Sequence, residues 1–576
     1  MDRTKYTKIV RQVLMICFFN LLAIKVFSSD KLLDIITSEL QREFNELKKE
    51  DTPPYYIEYR VSEIKSYGVS SSFGSLLGNV ENKRRLVNIV VKVGDYGFDN
   101  THIFKTNEED ATSYNYNYSA ILPVEDDETA IKQTLWWYTN KAYLNSLSIY
   151  NAIKQKNKED KKEQNKLSDF SKEDVSVYFE PAITDLGYDE QKWIKTVKEI
   201  THPFLNDTSV FKAEASFNYV IERKYFVSTE GSSVVQNVSY CQLSIMTNTR
   251  SSDRNVIPFL KTYVAKDPSG IPSREEIMKD INNIEELMAE YKNCPTAEPF
   301  TGPAILSPSA AGVFFHEIFG HRIEGHRLKD ESDAQTFKEK IGSRVLPKTF
   351  NVYFDPTVKN FKNIDLIGNY AYDDQGVKSE RVDIVKEGEL KGFLMSRLPV
   401  EGFGSSNGHG RAQTGYLPVA RQSNMFVSSN DPLSENDLRK MLIRECKKQN
   451  KEYGYFFKSV YGGFTSTTRY TPNVFNIFPI EVYRIYVDGR PDELVRGVQL
   501  IGTPLSMFAE ITAAGDEYSV FNGFCGAESG MVPVSTIAPS VFVKKIETQS
   551  QPNFYVNMPI LKRPDLEEES VKNIGK

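Results

Sequence analysis

A surplus of either charge is the first thing this sequence lacks: 71 lysines and arginines stand against 77 aspartates and glutamates, for a net charge of −6. Without a basic excess there is no electrostatic footprint for nucleic acid, and that partner class is set aside. Cysteine is scarce too, and the five present are too few for a disulfide scaffold. A chain of 576 residues, 40% of them apolar, can bury its cores without such staples. Long hydrophobic runs are also missing, the stretch Val13 to Ile24 being too short to read as a membrane span. No internal repeat and no regular strand–helix alternation is visible, which argues against a parallel α/β sheet and for an α+β fold.

At the N-terminus, Arg3, Lys5, Lys8 and Arg11 precede that apolar run, and Val26-Phe27-Ser28-Ser29 follows it. This is the layout of a signal peptide. It predicts export, to a periplasm or out of the cell, with residues 1–29 removed and no stable membrane span left. Lys25 and the bulky Phe27 suit a cleavage site poorly, so anchoring by an uncleaved segment is the alternative. Ile16 before Cys17 argues against lipidation.

From residue 30 onwards the chain reads as two folded parts. Leu33, Ile36, Leu40, Phe44 and Leu47 recur at helical spacing; Tyr55 to Val61 and Leu86 to Val93 read as strands, with the Ser/Gly-rich piece Ser70 to Gly78 as a hairpin or loop between them. Asp126 to Ile153 reads as a long helix whose Trp136-Trp137 pair is expected in the core. Lys154 to Lys166 is a mixed-charge run of the solvated kind. Gln191 to Ile200 and Arg274 to Lys292 add helices, and Ala213 to Thr247 adds strands. The prolines Pro295, Pro299 and Pro303 mark a boundary, giving an N-terminal α+β domain over 30–296. Beyond it come short alternating segments, Thr349 to Phe354, Arg381 to Val385, Ile480 to Val487 and Ser540 to Lys544, separated by turn residues. They predict a β-rich, barrel-like domain over 297–550, followed by a tail over 551–576.

Histidine is rare, yet three of the six, His316, His321 and His326, fall within eleven residues of one another. The stretch Ser307 to Gly325 reads as one helix, with a serine cap, proline in the first position and glycine at the end. At about 100° per residue, Glu317, His321 and Glu324 line one face with His316 beside Glu317, and His326 lies roughly opposite. The pattern is H-E-x-x-x-H, one residue longer than the zincin H-E-x-x-H. On a regular helix histidines five apart diverge by about 140°; an extra residue taken up as a π-bulge near Gly320 would let them converge. On this pattern alone two readings stand: a metal site, or histidines that hydrogen-bond locally near a helix end.

A wider resemblance bears on that choice. HEIFGHRIEG resembles the H-E-A-x-G-H-x-x-E signature of the TldD/PmbA family of metallopeptidases. In the order that family shows, Asp373-Asp374-Gln375-Gly376-Val377 follows, then Gly388-Glu389-Leu390-Lys391-Gly392, Gly408-His409-Gly410-Arg411, Pro418 with Arg421, Ser423 and Asn424, and finally Cys525-Gly526. The resemblance implies an α+β N-terminal domain, a β-rich C-terminal domain against which the motif helix packs, and a zinc site of His316, His321 and Cys525. The last residue is matched through the family's C-G segment. A soft thiolate–imidazole set with one open position suits catalytic zinc, and Gly523 and Gly526 would let the loop approach closely. Taken alone, a lone cysteine such as Cys525 reads first as a packed core residue; the resemblance puts the ligand reading ahead.

The function so implied is zinc-dependent hydrolysis of short or unfolded peptides by metal-activated water, with Glu317 as general base. Glu324 reads either as an acceptor orienting His321 or as an exposed helix-end glutamate. His409, Arg411 and Arg421 read either as substrate contacts or as residues ordering a turn. The family resemblance also implies a dimer, formed with a second copy or with a TldD/PmbA-like paralogue. The rival is a non-catalytic binding or assembly subunit whose zinc is structural, closed by a fourth ligand such as His326 or Glu324, or which holds no metal.

Overall fold

The computed structural model describes residues 30–102, 118–159, 167–251, 255–329, 333, 335–467 and 475–550. The signal-peptide and tail expectations, on residues 1–29 and 551–576, fall outside these. The architecture is α+β, built on two sheets.

The first sheet follows from long strands with alternating burial. Strands β1 (Pro54–Ser72) and β2 (Ser75–Val93) form one hairpin. It turns at Phe73 and Gly74, both at positive φ, 46° and 80°, as the tight two-residue turn of twisted strands requires. Of the two alternatives for the Ser/Gly-rich piece, it is the hairpin, with residues 70–72 and 75–78 paired as strand around the turn. With β3 (Tyr118–Leu122), β4 (Val177–Phe179), β5 (Lys212–Ser228), β6 (Ser233–Arg250) and β7 (Val256–Ala265) the order is β3-β2-β1-β5-β6, and β4 and β7 share the outer edge of β6. Odd-numbered residues of β1 and β5, among them Tyr59, Val61, Val69, Phe217, Tyr219 and Tyr225, face four helices. Helices α1 (Lys31–Leu47) and α2 (Glu128–Glu159) cover one end of that face, and α3 (Glu190–Thr201) and α4 (Arg274–Tyr291) the other. Trp136 and Trp137 are not in this core: they are 42% and 46% exposed, because α2 buries the stripe of Ile131, Leu135, Ala142, Ile149 and Ile153 instead.

The opposite, even-numbered face is polar and meets loops from the second half of the chain. Arg60 Nη2 donates to Tyr416 O at 2.8 Å, Lys224 Nζ to Asp374 Oδ1 at 2.8 Å and Gln236 Nε2 to Tyr372 O at 2.7 Å. Arg397, almost fully buried, donates to both oxygens of Glu230 at 2.7 Å and, from Nη2, to Ser171 O at 2.6 Å. Removing one partner of a buried ion pair strands the other's charge. Arg397→Met is therefore expected to lower stability by about 3–5 kcal/mol, read as a fall in the urea midpoint.

The second sheet contains β8 (Phe300–Leu306), β9 (Phe350–Phe354), β10 (Val382–Lys386), β11 (Glu389–Leu390), β12 (Asn424–Ser429), β13 (Tyr453–Thr465), β14 (Phe475–Tyr486), β15 (Glu493–Val495), β16 (Val498–Gly502), β17 (Ile511–Ala527) and β18 (Gly530–Ser550). Strand β18 pairs with β16, β16 with β14, β14 with β13, β13 with β8, and β8 again with β18, so five strands close into a ring. Against these strands packs α5 (Pro308–Ile318), whose residues from Ala310 to Ile318 are all buried. A helix with no polar face stays in place only when surrounded in this way, and Phe314, Phe315 and Ile318 join the core of the ring.

The motif does not form one helix from Ser307 to Gly325, and no π-bulge accommodates the extra residue. The cap is as expected, Ser307 Oγ accepting from the Ala310 N–H at 3.2 Å, but α5 ends at Ile318. Phe319 leaves the helical region (φ −120°, ψ −53°), and the separate 3₁₀ turns Gly320–Arg322 and Gly325–Leu328 follow. The break at Phe319 replaces the angular divergence that a continuous helix would impose on His316 and His321.

Candidate metal centre

Three elements bring the site together. His316 and Glu317 lie in the last turn of α5, His321 in the 3₁₀ turn after it, and Cys525 near the end of β17, where it faces back onto the turn. One donor atom from each of His316, His321 and Cys525 lies within 4.8 Å of the others, and all three side chains are buried. Cys525 Sγ is 3.5 Å from His321 Nε2, about the edge of a tetrahedron whose arms have zinc-ligand length, ~2.0–2.3 Å. His316 Nδ1 is buried and has no hydrogen-bond partner among the described residues. Two buried imidazoles and a buried thiol within reach of one another, with that ring nitrogen left unpartnered, have the chemistry of a soft metal's donor set. The residues present fit zinc.

The electrostatics agree with this. Burial alone would raise the Cys525 thiol, but His321 and His316 hold it well below its usual range. Burial opposes the charged form of His321 as well, and Cys525 and Glu324 raise it nonetheless. The carboxyl of Glu317 is raised by burial, against the pull of His316 and His321.

Glu317 is seated against backbone. A Cβ added to Gly463 on β13 would stand 2.6 Å from Glu317 Cγ and 2.9 Å from Ile477 Cδ1. Gly463 thus provides room that any side chain would take away. Gly463→Ala is expected to displace the Glu317 carboxylate while leaving the capacity of His316, His321 and Cys525 to take up added zinc unchanged, as measured by metal analysis of the zinc-supplied protein.

Glu324 is not an exposed helix-end glutamate. It is 1% exposed; His321 Nδ1 lies 3.3 Å from its Oε2, which also accepts from Arg327 Nη2 at 2.8 Å. Burial would raise its carboxyl, but His321 and Arg327 hold it well below the usual carboxylate range. The contact fixes which nitrogen of His321 is turned to the donor cluster, namely Nε2. His326 points elsewhere and pairs with Glu528.

Of the three residues from the glycine-rich stretch, His409 lies apart from the cluster. Fully buried, it is held between Asn407 O and Ser423 Oγ at 3.0 and 3.1 Å, and burial pushes it down to about 3, so the ring is neutral. Arg411 donates to Gln422 O and lies over the Tyr370 ring, 4.7 Å from its centroid. Both hold the chain locally. Arg421 does reach the cluster: its Nη2 donates to Cys525 O at 2.7 Å and to Sγ at 3.2 Å, and its Nε lies 3.3 Å from Glu324 Oε1.

Sequence reasoning passed over Gln422, Arg327, Ser529 and Gly463. Gln422 Nε2 lies 3.4 Å from His316 O, and its side chain occupies the space a Cβ on Gly320 would need. Its neighbours Arg421 and Ser423 carried the motif signal; the residue between them was the one packed under the turn.

A model of the PmbA/TldA metallopeptidase C-terminal domain matches residues 300–550. A metalloprotease of Methanocaldococcus jannaschii is 28% identical over 365 residues, 61% of this chain and 72% of that protein. A metalloprotease of Archaeoglobus fulgidus is 30% identical over 261 residues, 45% of this chain and 56% of that protein. A zinc metalloprotease TldD homolog of Saccharolobus solfataricus is 23% identical over 371 residues, 63% and 77% of the two chains. Among solved structures, TldE from Thermococcus kodakarensis superposes with a TM-score of 0.59 at 13% identity, covering 89% of this chain and all of that one (100%). A Thermotoga maritima protein described as a modulator of a DNA gyrase gives 0.59 at 16% identity, covering 89% and 99%. At those identities the structural likeness is one of fold.

Proposed function

Because the chain belongs to the PmbA/TldD metallopeptidase family, we propose that it is a zinc-dependent peptidase acting on short or unfolded peptides. The observation that carries this reading is the convergence of His316, His321 and Cys525, from positions up to 209 residues apart, beside the buried carboxyl of Glu317. Zinc bound there would supply Lewis acidity towards the scissile carbonyl.

The remaining chemistry belongs to the chain. Glu317, buried beside the donors, takes the proton of the attacking water and passes it to the departing amine. Glu324 accepts from His321 Nδ1 and keeps Nε2 turned inward. The walls exclude bulk water: His316, Glu317 and His321 are each under 8% exposed and Cys525 1%. A folded surface cannot present its backbone to atoms so deeply placed, whereas an extended chain can, which supports the substrate class.

A structural zinc would need a fourth protein ligand. The described donors number three, and the two residues available to close the site are engaged elsewhere, Glu324 with arginines and His326 with Glu528. This favours the enzyme over the assembly subunit. The reading extends to a dimer, with a second copy or a TldE-like paralogue, checked by light scattering. It also extends to export of the chain after removal of residues 1–29, checked by sequencing the N-terminus of the protein from its native source.

The deciding experiment follows cleavage of an unstructured peptide before and after chelation. Loss of cleavage with the chelator and its return on adding zinc are expected. A zinc-loaded, folded protein that leaves a broad set of unstructured peptides intact would overturn the peptidase reading.

A further inference from the structure

The metal-donor cluster rests on one side chain that belongs to none of its elements. Arg421 is fully buried in the segment between β11 and β12, and all three of its nitrogens are directed at the cluster or its supports. Nη2 donates to Cys525 twice, at the carbonyl and at the sulfur. Nη1 donates to Ser529 Oγ at 2.6 Å and Gly530 O at 3.1 Å, on the turn that leads from β17 into β18. Nε lies opposite Glu324 Oε1, and the other oxygen of that carboxylate faces His321 Nδ1. The backbone N–H of Arg421 is itself tied to His409 O at 2.9 Å, which gives the buried, neutral His409 its place as the base of the support.

We propose that Arg421 is the positioning residue of this centre. A single rigid guanidinium fork sets the distance between Cys525 and His321, two donors 204 residues apart in sequence, and donates directly to the sulfur. Two consequences follow. The fork orders the donors before any metal arrives, so that ordering does not have to accompany binding. A hydrogen bond from a permanent cation also withdraws charge from the sulfur, leaving more of the bound metal's positive charge for the substrate. Lysine reproduces the charge but not the planar fork: its donors diverge from a single nitrogen and do not span partners that the guanidinium reaches from three.

This inference rests on the metal-site reading, and its test is read on the metal rather than on peptides. Zinc affinity would be measured by chelator competition on the full chain, and the sulfur-to-metal charge-transfer band on the cobalt-substituted protein, for wild type, Arg421→Met, Arg421→Lys and Glu324→Gln. Arg421→Met is expected to weaken zinc binding by about 10- to 100-fold, the usual cost of losing an outer-shell partner, and to shift the cobalt band because the sulfur has lost its donor. Arg421→Lys is expected to recover part of the affinity. Glu324→Gln, which keeps the size and removes the charge, is expected to weaken zinc without moving the band as far.

Wild-type affinity and an unmoved band in folded Arg421→Met would overturn the proposal. If Arg421→Met does not fold, unchanged zinc affinity in Glu324→Gln together with wild-type behaviour of Arg421→Lys overturns it equally. Wild-type protein that binds zinc but cleaves nothing would refute the peptidase reading and leave this one standing.

Discussion

Exchanging Glu317 for glutamine should reduce peptide cleavage by about 10²–10⁴-fold, the usual contribution of a general acid–base group, with zinc still bound. The carboxyl lies beside the donors but is not one of them, so an isosteric amide keeps the packing against Gly463 and loses only the capacity to carry a proton. Both kcat and kcat/KM should fall together, because the lost interaction belongs to the transition state. Metal analysis of the same preparation separates the outcomes: a drop in activity that follows a drop in zinc would mean that Glu317 acts by holding the site together. An active variant with full zinc would mean that another group moves the proton.

The second large effect is expected on the metal itself. His321→Ala and Cys525→Ala should each bring zinc content from about one equivalent per chain to near zero after dialysis against a weak chelator, and activity should disappear with it. Two protein ligands do not make a catalytic zinc site, for which three are the rule. Cys525→Ala is the sharper of the two, since the alanine methyl fits among Val532 and Val534, the apolar neighbours of Cys525. It also removes the sulfur that faces His321 and Arg421, so stability in the absence of metal is expected to fall somewhat as binding is lost. Full zinc retention by folded Cys525→Ala would place the metal elsewhere and remove the thiolate from the account.

Much of the fold was legible, for identifiable reasons. Helix α4 carries a complete capping box, Ser273 with Glu276, and α1 a regular apolar stripe, so both could be read to within a residue or two. The strands of the β1–β2 hairpin read shorter than they are, and the stretch joining them only as a hairpin or loop, since its Ser/Gly-rich half carries little apolar signal; its pairing is held by backbone and by the turn at Phe73 and Gly74. Trp136 and Trp137 were expected inside because tryptophan is mostly apolar, but the facing of a helix is set by where the sheet lies. Periodicity cannot supply that.

By itself the sequence determined the composition of the site. The rare histidines and the glutamate between them stand out in the local pattern, and Cys525 was matched to them only through the family resemblance, in which the order of motifs along the chain carries the signal. The tertiary structure alone decided the geometry, because each decisive contact joins residues far apart in the chain. The break of α5 at Phe319 turns His321 towards Cys525. The burial of Glu324 between His321, Arg327 and Arg421 makes it a support rather than a surface charge, and Gly463 clears the space for Glu317. Local spacing fixes which face of a helix a residue occupies. Only the packing of the closed ring against that helix fixes what the face meets.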